Sequence, residues 1–341
     1  MRFGPVPLDE ATGKILGHNV TGEDGRRLFR KGKPLTEDDI EQLRQAGRET
    51  VYVAELEPGD VDEDSAAGRI ARGLLGDGLR LSGPSTGRAN LYATCLGMVR
   101  VDVGRLLRLN RFDGVTLATV QNNAVVNEGK MVATLKILPY AIAQQTVVAA
   151  EAICSSGSGL LRLEPLAERT VSLILSGSQS SRDRVVRSFE SALHQRLEAL
   201  GSSLVNVHFV PLNEQADERR LAQKITEEVK RGVDLIILAG ETAIMDRHDI
   251  APRAVEQAGG EVAAFGAPVD PGNLLMLAYV GQTPVLGAPG CARSPKDNIV
   301  DLVLPRLLIG DRLQHEDIIA FGHGGLLEDV PERPAPRSHL A

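Results

Sequence analysis

At 341 residues, with 43% hydrophobic and 24% charged residues, the chain has the composition of a globular protein of two or three domains. A formal net charge of −7 and the absence of Trp argue against a general grip on nucleic-acid phosphates and against base-stacking platforms, so no nucleic-acid partner is expected. Cys95, Cys154 and Cys291 are far apart and form no CxxC knuckle, no run reaches the ~18 apolar residues of a membrane helix, and the start from Met1 to Pro5 has no apolar signal core; a cytoplasmic protein without a membrane partner is expected.

In chain order, residues 28–33 read as a strand running into a turn. Thr36 has the chemistry of a helix N-cap and is followed by Glu37, Asp38 and Asp39, acidic residues suited to a first turn. The helix is expected over 40–46, ended by Gly47, with a strand next at 51–54. A helix is expected over 66–75. Strands rich in β-branched residues are expected at 115–120 and 131–138, about a turn at 127–130. Serines and glycines at 154–159 open a flexible connection, and the domain boundary is placed near 165. Residues 1–165 are thus expected to form a mixed α+β region with room for two small subdomains.

From 170 the pattern changes. Residues 171–175 form a short apolar run of the buried-strand type, followed by Val186, Phe189, Leu193, Leu197 and Leu200 at helical steps of three and four, closed by Gly201. A strand at 204–210, a helix marked by Leu221, Ile225 and Val229 and ended by Gly232, a strand at 233–238 and a helix over 250–258 complete the alternation. Such alternation predicts a parallel sheet covered on both faces, in a domain spanning 166–328. The tail at 329–341, rich in Pro and Arg towards its end, is expected to be disordered.

Open α/β sheets bind ligands beyond the carboxyl ends of their strands, which singles out three loops. In the first, Ser176, Gly177 and Ser178 either bind an anion at a helix start or simply cap the helix. In the second, Glu241, Asp246, His248 and Asp249 either hold a divalent cation or position a phosphate; alternatively Asp249 is an N-cap, with Pro252 in the first turn. In the third, Pro289, Gly290, Arg293, Ser294 and Lys296 precede a helix over 297–309 that Pro305 should kink. This loop offers two cations and a helix start to a phosphate, or is a plain turn with solvated cations. Cys291 is either a reactive thiol or an inert small residue.

Taken in order, these segments resemble one family. Residues 171 to about 327 resemble the molybdopterin-binding domain shared by molybdopterin adenylyltransferase and molybdopterin molybdotransferase. Ala239-Gly240-Glu241-Thr242 stands where that family has a Gly-Gly pair, and Asp249-Ile250-Ala251-Pro252 resembles its Asp-x-Thr-Pro helix start. The segment at 266–273 resembles its Lys-Pro-Gly-like stretch, and Leu286-Gly287-Ala288-Pro289-Gly290-Cys291 its Gly-Leu-Pro-Gly-Asn turn. Residues 289–295, the Gly322-His323-Gly324-Gly325 phrase and the start from Phe3 to Ala11 are closest to a bacterial molybdopterin-binding subgroup related to fused molybdenum-cofactor nucleotidyltransferases. No nucleotidyltransferase domain is expected within this chain.

The resemblance implies a three-layer α/β/α domain preceded by a mixed, β-rich N-terminal region. It implies binding of molybdopterin, or a molybdenum or nucleotide form of it, in molybdenum cofactor biosynthesis. If the chain is an enzyme, the implied reaction is nucleotidyl or molybdate transfer. Ser176, Gly177, Ser178, Gly240, Thr242, Pro271, Gly272, Pro289, Gly290, Arg293, Ser294 and Lys296 would bind the pterin ligand, with Arg293 and Lys296 on its phosphate. Asp249, Asp246 and Glu241 would be catalytic, Asp249 and Asp246 competing to hold Mg²⁺, with ATP or CTP as co-substrate. Other molybdenum cofactor biosynthesis proteins and further copies of the chain, as a dimer or trimer, are the implied partners.

Four departures bear on catalysis: Glu241 replaces a glycine, Ala251 a threonine, Cys291 an asparagine, and Asp270 a basic or neutral residue. They favour a non-catalytic cofactor carrier as the alternative. An unrelated nucleotide-binding α/β domain is a further alternative, against which the absence of GxGxxG and GxxxxGK[ST] counts.

Overall fold

A helix with one apolar stripe must bury that stripe, and a strand apolar on both faces must be covered twice. Both patterns occur here, and the chain is a mixed α/β protein. The computed structural model describes residues 1–22, 24–157, 159–212 and 216–327. The tail expected at 329–341, and residue 328, lie outside the described residues. The structure divides into one unit from Met1 to Glu164 and a second from Pro165 onward. Among the described residues no helix is long and apolar enough to cross a membrane.

In the first unit, Arg2–Pro7, Thr50–Glu55 and Ile15–Leu16 form a small antiparallel sheet over a core of Leu16, Leu35, Ile40, Leu43 and Val53. The helix beside it runs Glu37–Gln45, three residues earlier than expected at its start. The cause is reciprocal capping: Thr36 Oγ1 accepts from the Asp39 backbone N–H at 3.3 Å, and Asp39 Oδ2 accepts from the Thr36 backbone N–H at 3.0 Å. The acidic residues therefore lie inside the helix.

Further along, Val115–Thr119, Met131–Ile137, Arg88–Ala93 and Leu79–Leu81 form a four-stranded antiparallel sheet in that order. Its inner face packs on the helix Glu63–Leu74 through Ala66, Ala67, Ile70, Ala71 and Leu74. Asp62 accepts from the Ser65 backbone N–H and starts that helix ahead of the expected residue 66. Two further helices, Val103–Leu109 and Gln144–Cys154, were not expected from the sequence.

The second unit is built from β1 (Thr170–Gly177), α1 (Arg182–Ala199), β2 (Ser203–Pro211), α2 (Ala216–Arg231), β3 (Leu235–Gly240), α3 (Ile250–Gln257), β4 (Glu261–Phe265), β5 (Met276–Val280), β6 (Thr283–Gly287), α4 (Ile299–Leu308) and α5 (His315–Ile319). The strands form one sheet in the order β2-β1-β3-β6-β5-β4. Along β1, Val171, Leu173 and Leu175 join Phe189, Leu193 and Leu197 of α1 and Val303 and Leu304 of α4 in one core. Ile174 joins Leu221 and Ile225 of α2 and Ala254 and Val255 of α3 in another.

The expectation of a parallel sheet needs correction at one edge. β2, β1, β3 and β6 are parallel, but β5 runs antiparallel to β6, and β4 antiparallel to β5. Only Gly281 and Gln282 separate β5 from β6, and a parallel return needs a crossover of about a dozen residues. The helix expected over 297–309 is Ile299–Leu308, running on past Pro305.

Candidate functional site

Parallel strands deliver their following loops to one edge of a sheet. Ser176 at the end of β1 pairs with Gly240 at the end of β3, and Leu238 of β3 with Gly287 at the end of β6. On the α2/α3 side of this edge lies a cleft. Leu212, Leu221, Leu238, Ile244 and Ile250 supply apolar walls, and Ser176, Gly240, Thr242, Asp249 and Ala288 are also among its lining residues. Gly240 is needed where the strands converge, because a Cβ there would lie 2.8 Å from Ser176 Oγ.

In the loop after β3 each acid has hydrogen-bond partners of its own. Asp249 is the N-cap of α3: Oδ1 accepts from the Ile250 backbone N–H at 2.9 Å and Oδ2 from the Met245 backbone N–H at 3.0 Å. Pro252 follows in the first turn, where its missing N–H costs nothing. Asp246 is exposed, and its Oδ1 meets both the backbone N–H and Nδ1 of His248 at 2.8 Å. These contacts, the His248 backbone N–H first, hold its carboxyl below the ordinary range. Among the described residues no three or more His, Cys, Asp or Glu side chains come together to hold a metal ion. Asp249 and Asp246 are thus each engaged by donors of their own loop.

Glu241 turns away from the other two acids, towards the start of α1. Its backbone N–H donates to Ser176 O at 2.8 Å. Its Oε2 accepts from the Ser178 backbone N–H at 2.8 Å, from Ser178 Oγ at 2.9 Å and from Ser181 Oγ at 2.7 Å, while Arg184 donates to Oε1 at 2.8 Å. The Ser178 backbone N–H, then the Ser181 and Ser178 hydroxyls, hold the carboxyl down at about 2; the Arg184 charge adds a smaller pull. Gly177 lies directly against this side chain, where a Cβ would come 2.8 Å from Glu241 Cβ.

The loop after β6 lies partly on the opposite face from the cleft. Arg293 sits with its guanidinium carbon 5.3 Å from the centre of the Phe189 ring on α1, and its Nε donates to Gly290 O at 2.9 Å. Arg293 and Lys296 are both exposed. Two residues absent from the sequence expectations hold the loop in shape. Arg196 of α1 donates to Asp301 at 2.7 Å, to Ser294 O at 2.8 Å and to Lys296 O at 3.0 Å. Asn298, buried, caps α4 through the Val300 backbone N–H and donates to Lys296 O at 2.9 Å. Cys291 is half-buried, and burial pushes its thiol up from the ordinary value, which suits an inert residue and not a nucleophile.

Pro271 and Gly272 belong to packing at the start of α4. Pro271 O accepts from the Ile299 backbone N–H at 3.1 Å, and a Cβ on Gly272 would lie 2.4 Å from Ile299 Cβ. The expected residues therefore separate into groups. Ser176, Gly240, Thr242 and Asp249 share the cleft. Ser178 and Glu241 meet at the start of α1, Pro289, Gly290, Arg293, Ser294 and Lys296 follow β6, and Pro271 and Gly272 pack on α4. The capping pair Asn298 and Asp301 was visible as a spacing of three before an apolar run; Arg196 and Arg184 carried no such signal.

A family model described as a domain of unknown function (DUF8806) matches residues 5–55. No curated protein gives a significant match. Among solved structures the chain is similar to a molybdenum cofactor biosynthesis protein from Pyrococcus furiosus, at 13% identity and TM-score 0.24 over 94% of this chain. The matched region spans 65% of the length of that protein. It is also similar to a molybdopterin biosynthesis protein from Mycobacterium abscessus, at 16% identity and TM-score 0.29 over 41% of this chain and 91% of that one. The molybdopterin biosynthesis Mog protein from Mycobacterium ulcerans matches at 20% identity and TM-score 0.27, over 41% and 97%. Scores this low describe partial likeness only, and the function proposed next rests on the residues of this chain.

Proposed function

We propose that the second unit, a three-layer α/β/α domain over about 166–327, binds molybdopterin or a molybdenum- or nucleotide-bearing form of it in molybdenum cofactor biosynthesis. The observation that carries this is the cleft on the α2/α3 side. Of the segments that carry the sequence resemblance, Ala239, Gly240, Thr242, Asp249, Ile250, Ala251 and Ala288 line it, together with Ser176 and the apolar walls Leu221, Leu238 and Ile244. A cleft that sets apolar walls beside hydroxyl and backbone groups suits a heterocycle with polar edges. Arg293 and Lys296, exposed in the loop after β6 and outside the cleft lining, are assigned to the ligand phosphate, which has to extend past the sheet edge to reach them, and a dimer or trimer is the expected assembly.

Binding without turnover is the form of this proposal that the acids favour. Asp249 is committed to capping α3, Asp246 to His248, and Glu241 to Ser178, Ser181 and Arg184. The test is mass spectrometry of the ligand retained after anaerobic purification, paired with calorimetry using molybdopterin. A retained pterin and saturable heat are expected. Absence of both overturns the proposal. Incubation with molybdopterin, Mg²⁺ and ATP or CTP, or with molybdate, is expected to give no nucleotidylated or metallated product; product formation makes the chain an enzyme.

A further inference from the structure

The donors at the start of α1 are of the kind that bind anions: a backbone N–H, two serine hydroxyls and an arginine beside a helix N-terminus. In this chain they already hold one. Ser178 N–H, Ser178 Oγ and Ser181 Oγ converge on a single oxygen of Glu241 within 2.7–2.9 Å, and Arg184 takes the other at 2.8 Å. Ser181 has one hydroxyl hydrogen and two acceptors in range, Glu241 Oε2 at 2.7 Å and Ser178 O at 2.9 Å. The charged acceptor is the stronger of the two.

We infer that Glu241 is a resident anion that closes the loop after β1 to phosphate, and so acts as a specificity-determining residue. A phosphate reaching this loop must first break four hydrogen bonds to the carboxylate. The Glu241 backbone N–H is bonded to Ser176 O, so the ejected carboxylate stays within a side chain's length, a like charge beside the incoming anion. An anionic ligand is therefore turned away from this loop, while Arg293 and Lys296 of the loop after β6 stay exposed to it. The inference rests on the proposed function only for the identity of the ligand that is steered.

Its test uses inorganic phosphate and leaves the pterin out, so that failure of one does not count against the other. Titration of the full chain by calorimetry, with ³¹P line widths as a second measure, is run on wild type, Glu241→Gln and Glu241→Ala. Wild type is expected to show no saturable binding that depends on Ser181. Glu241→Ala should gain it, on the order of tenfold tighter or more, and lose it again in combination with Ser181→Ala. Glu241→Gln keeps the size of the side chain without its charge, and should gain binding in the same direction if the alanine variant disturbs the loop. Equal phosphate binding in wild type and both variants overturns the inference, as does no gain in either variant.

Discussion

Arg196 and Asp301, 105 residues apart in sequence, meet at 2.7 Å and fasten the loop after β6 to helix α1. The Arg196 side chain is only 10% exposed, and the same guanidinium also binds the carbonyls of Ser294 and Lys296. One planar fork thus ties together a helix, a loop and the first turn of α4. The loop that carries Arg293 and Lys296 takes its shape from a residue that is not part of it.

Arg196→Ala takes the cation from a half-buried carboxylate, which keeps the Asn298 backbone N–H, and one donor each from the carbonyls of Ser294 and Lys296, the latter keeping Asn298 Nδ2. It should cost about 1.5–3 kcal/mol in chemical denaturation, the usual range for hydrogen bonds to charged groups. Hydrogen exchange should speed up over 290–298 and change little in β1 to β3. Arg196→Lys should recover only part of the loss, because an ammonium cannot span the same acceptors. Equal stability of all three proteins would show that the brace contributes nothing.

Glu241 should set part of the acid limb of stability. Its carboxyl ordinarily titrates near 4.5 and is held at about 2 in the folded chain. A depressed carboxyl stabilises the fold above its unfolded value and loses that contribution as pH falls through its folded value. Glu241→Gln should therefore be less stable than wild type at neutral pH, and the gap should close between pH 4.5 and pH 2. Urea melts at stepped pH measure this; a gap independent of pH would sink the assignment.

Arg293 and Lys296 carry the prediction for affinity. Charge-assisted contacts to a phosphate are each worth about 1.5–3 kcal/mol, so Arg293→Ala with Lys296→Ala should weaken molybdopterin binding several-fold or more. The loop should survive, because Arg196 and Asn298 hold its backbone. Unchanged affinity in calorimetry would place the phosphate elsewhere along the edge.

Asp249→Asn separates binder from enzyme. Asparagine caps a helix about as well as aspartate, and the Ile250 backbone N–H keeps its acceptor. Only the bond from the Met245 backbone N–H is at risk, in an exposed segment, so stability should change by no more than about 1 kcal/mol. Pterin affinity should hold or rise slightly. Any wild-type turnover reduced about 100-fold or more by this change would instead make Asp249 catalytic.

Local signals were legible in the sequence, and long-range ones were not. Phe189, Leu193 and Leu197 stand at helical steps and are the buried stripe of α1; Thr36 was readable as a cap from its own neighbours. β5 and β6 were missed because their apolar runs sit two residues apart, around Gly281 and Gln282, with no helix between them to mark two strands. At Asp249 the residue type permitted both ligand and cap, and the N–H groups of Met245 and Ile250, which show the cap, are fixed only by the folded loop. Glu241 was noticed as a misfit where the resemblance called for glycine. Its partners lie some sixty residues upstream, beyond the reach of any local pattern.

The reversal between β6 and β5 has a consequence for the economy of the sheet. Because Met276 pairs with Gly287, the segment entering β5 arrives at the same end from which β1, β3 and β6 discharge. The connection from β4 to β5 thus reaches that end without another crossover helix. The far end receives, beside the returns from α1, α2 and α3, a two-residue corner, Gly281 and Gln282, both exposed. That corner is where a reporter or a tether can be spliced in while the opposite rim of the domain stays as it is.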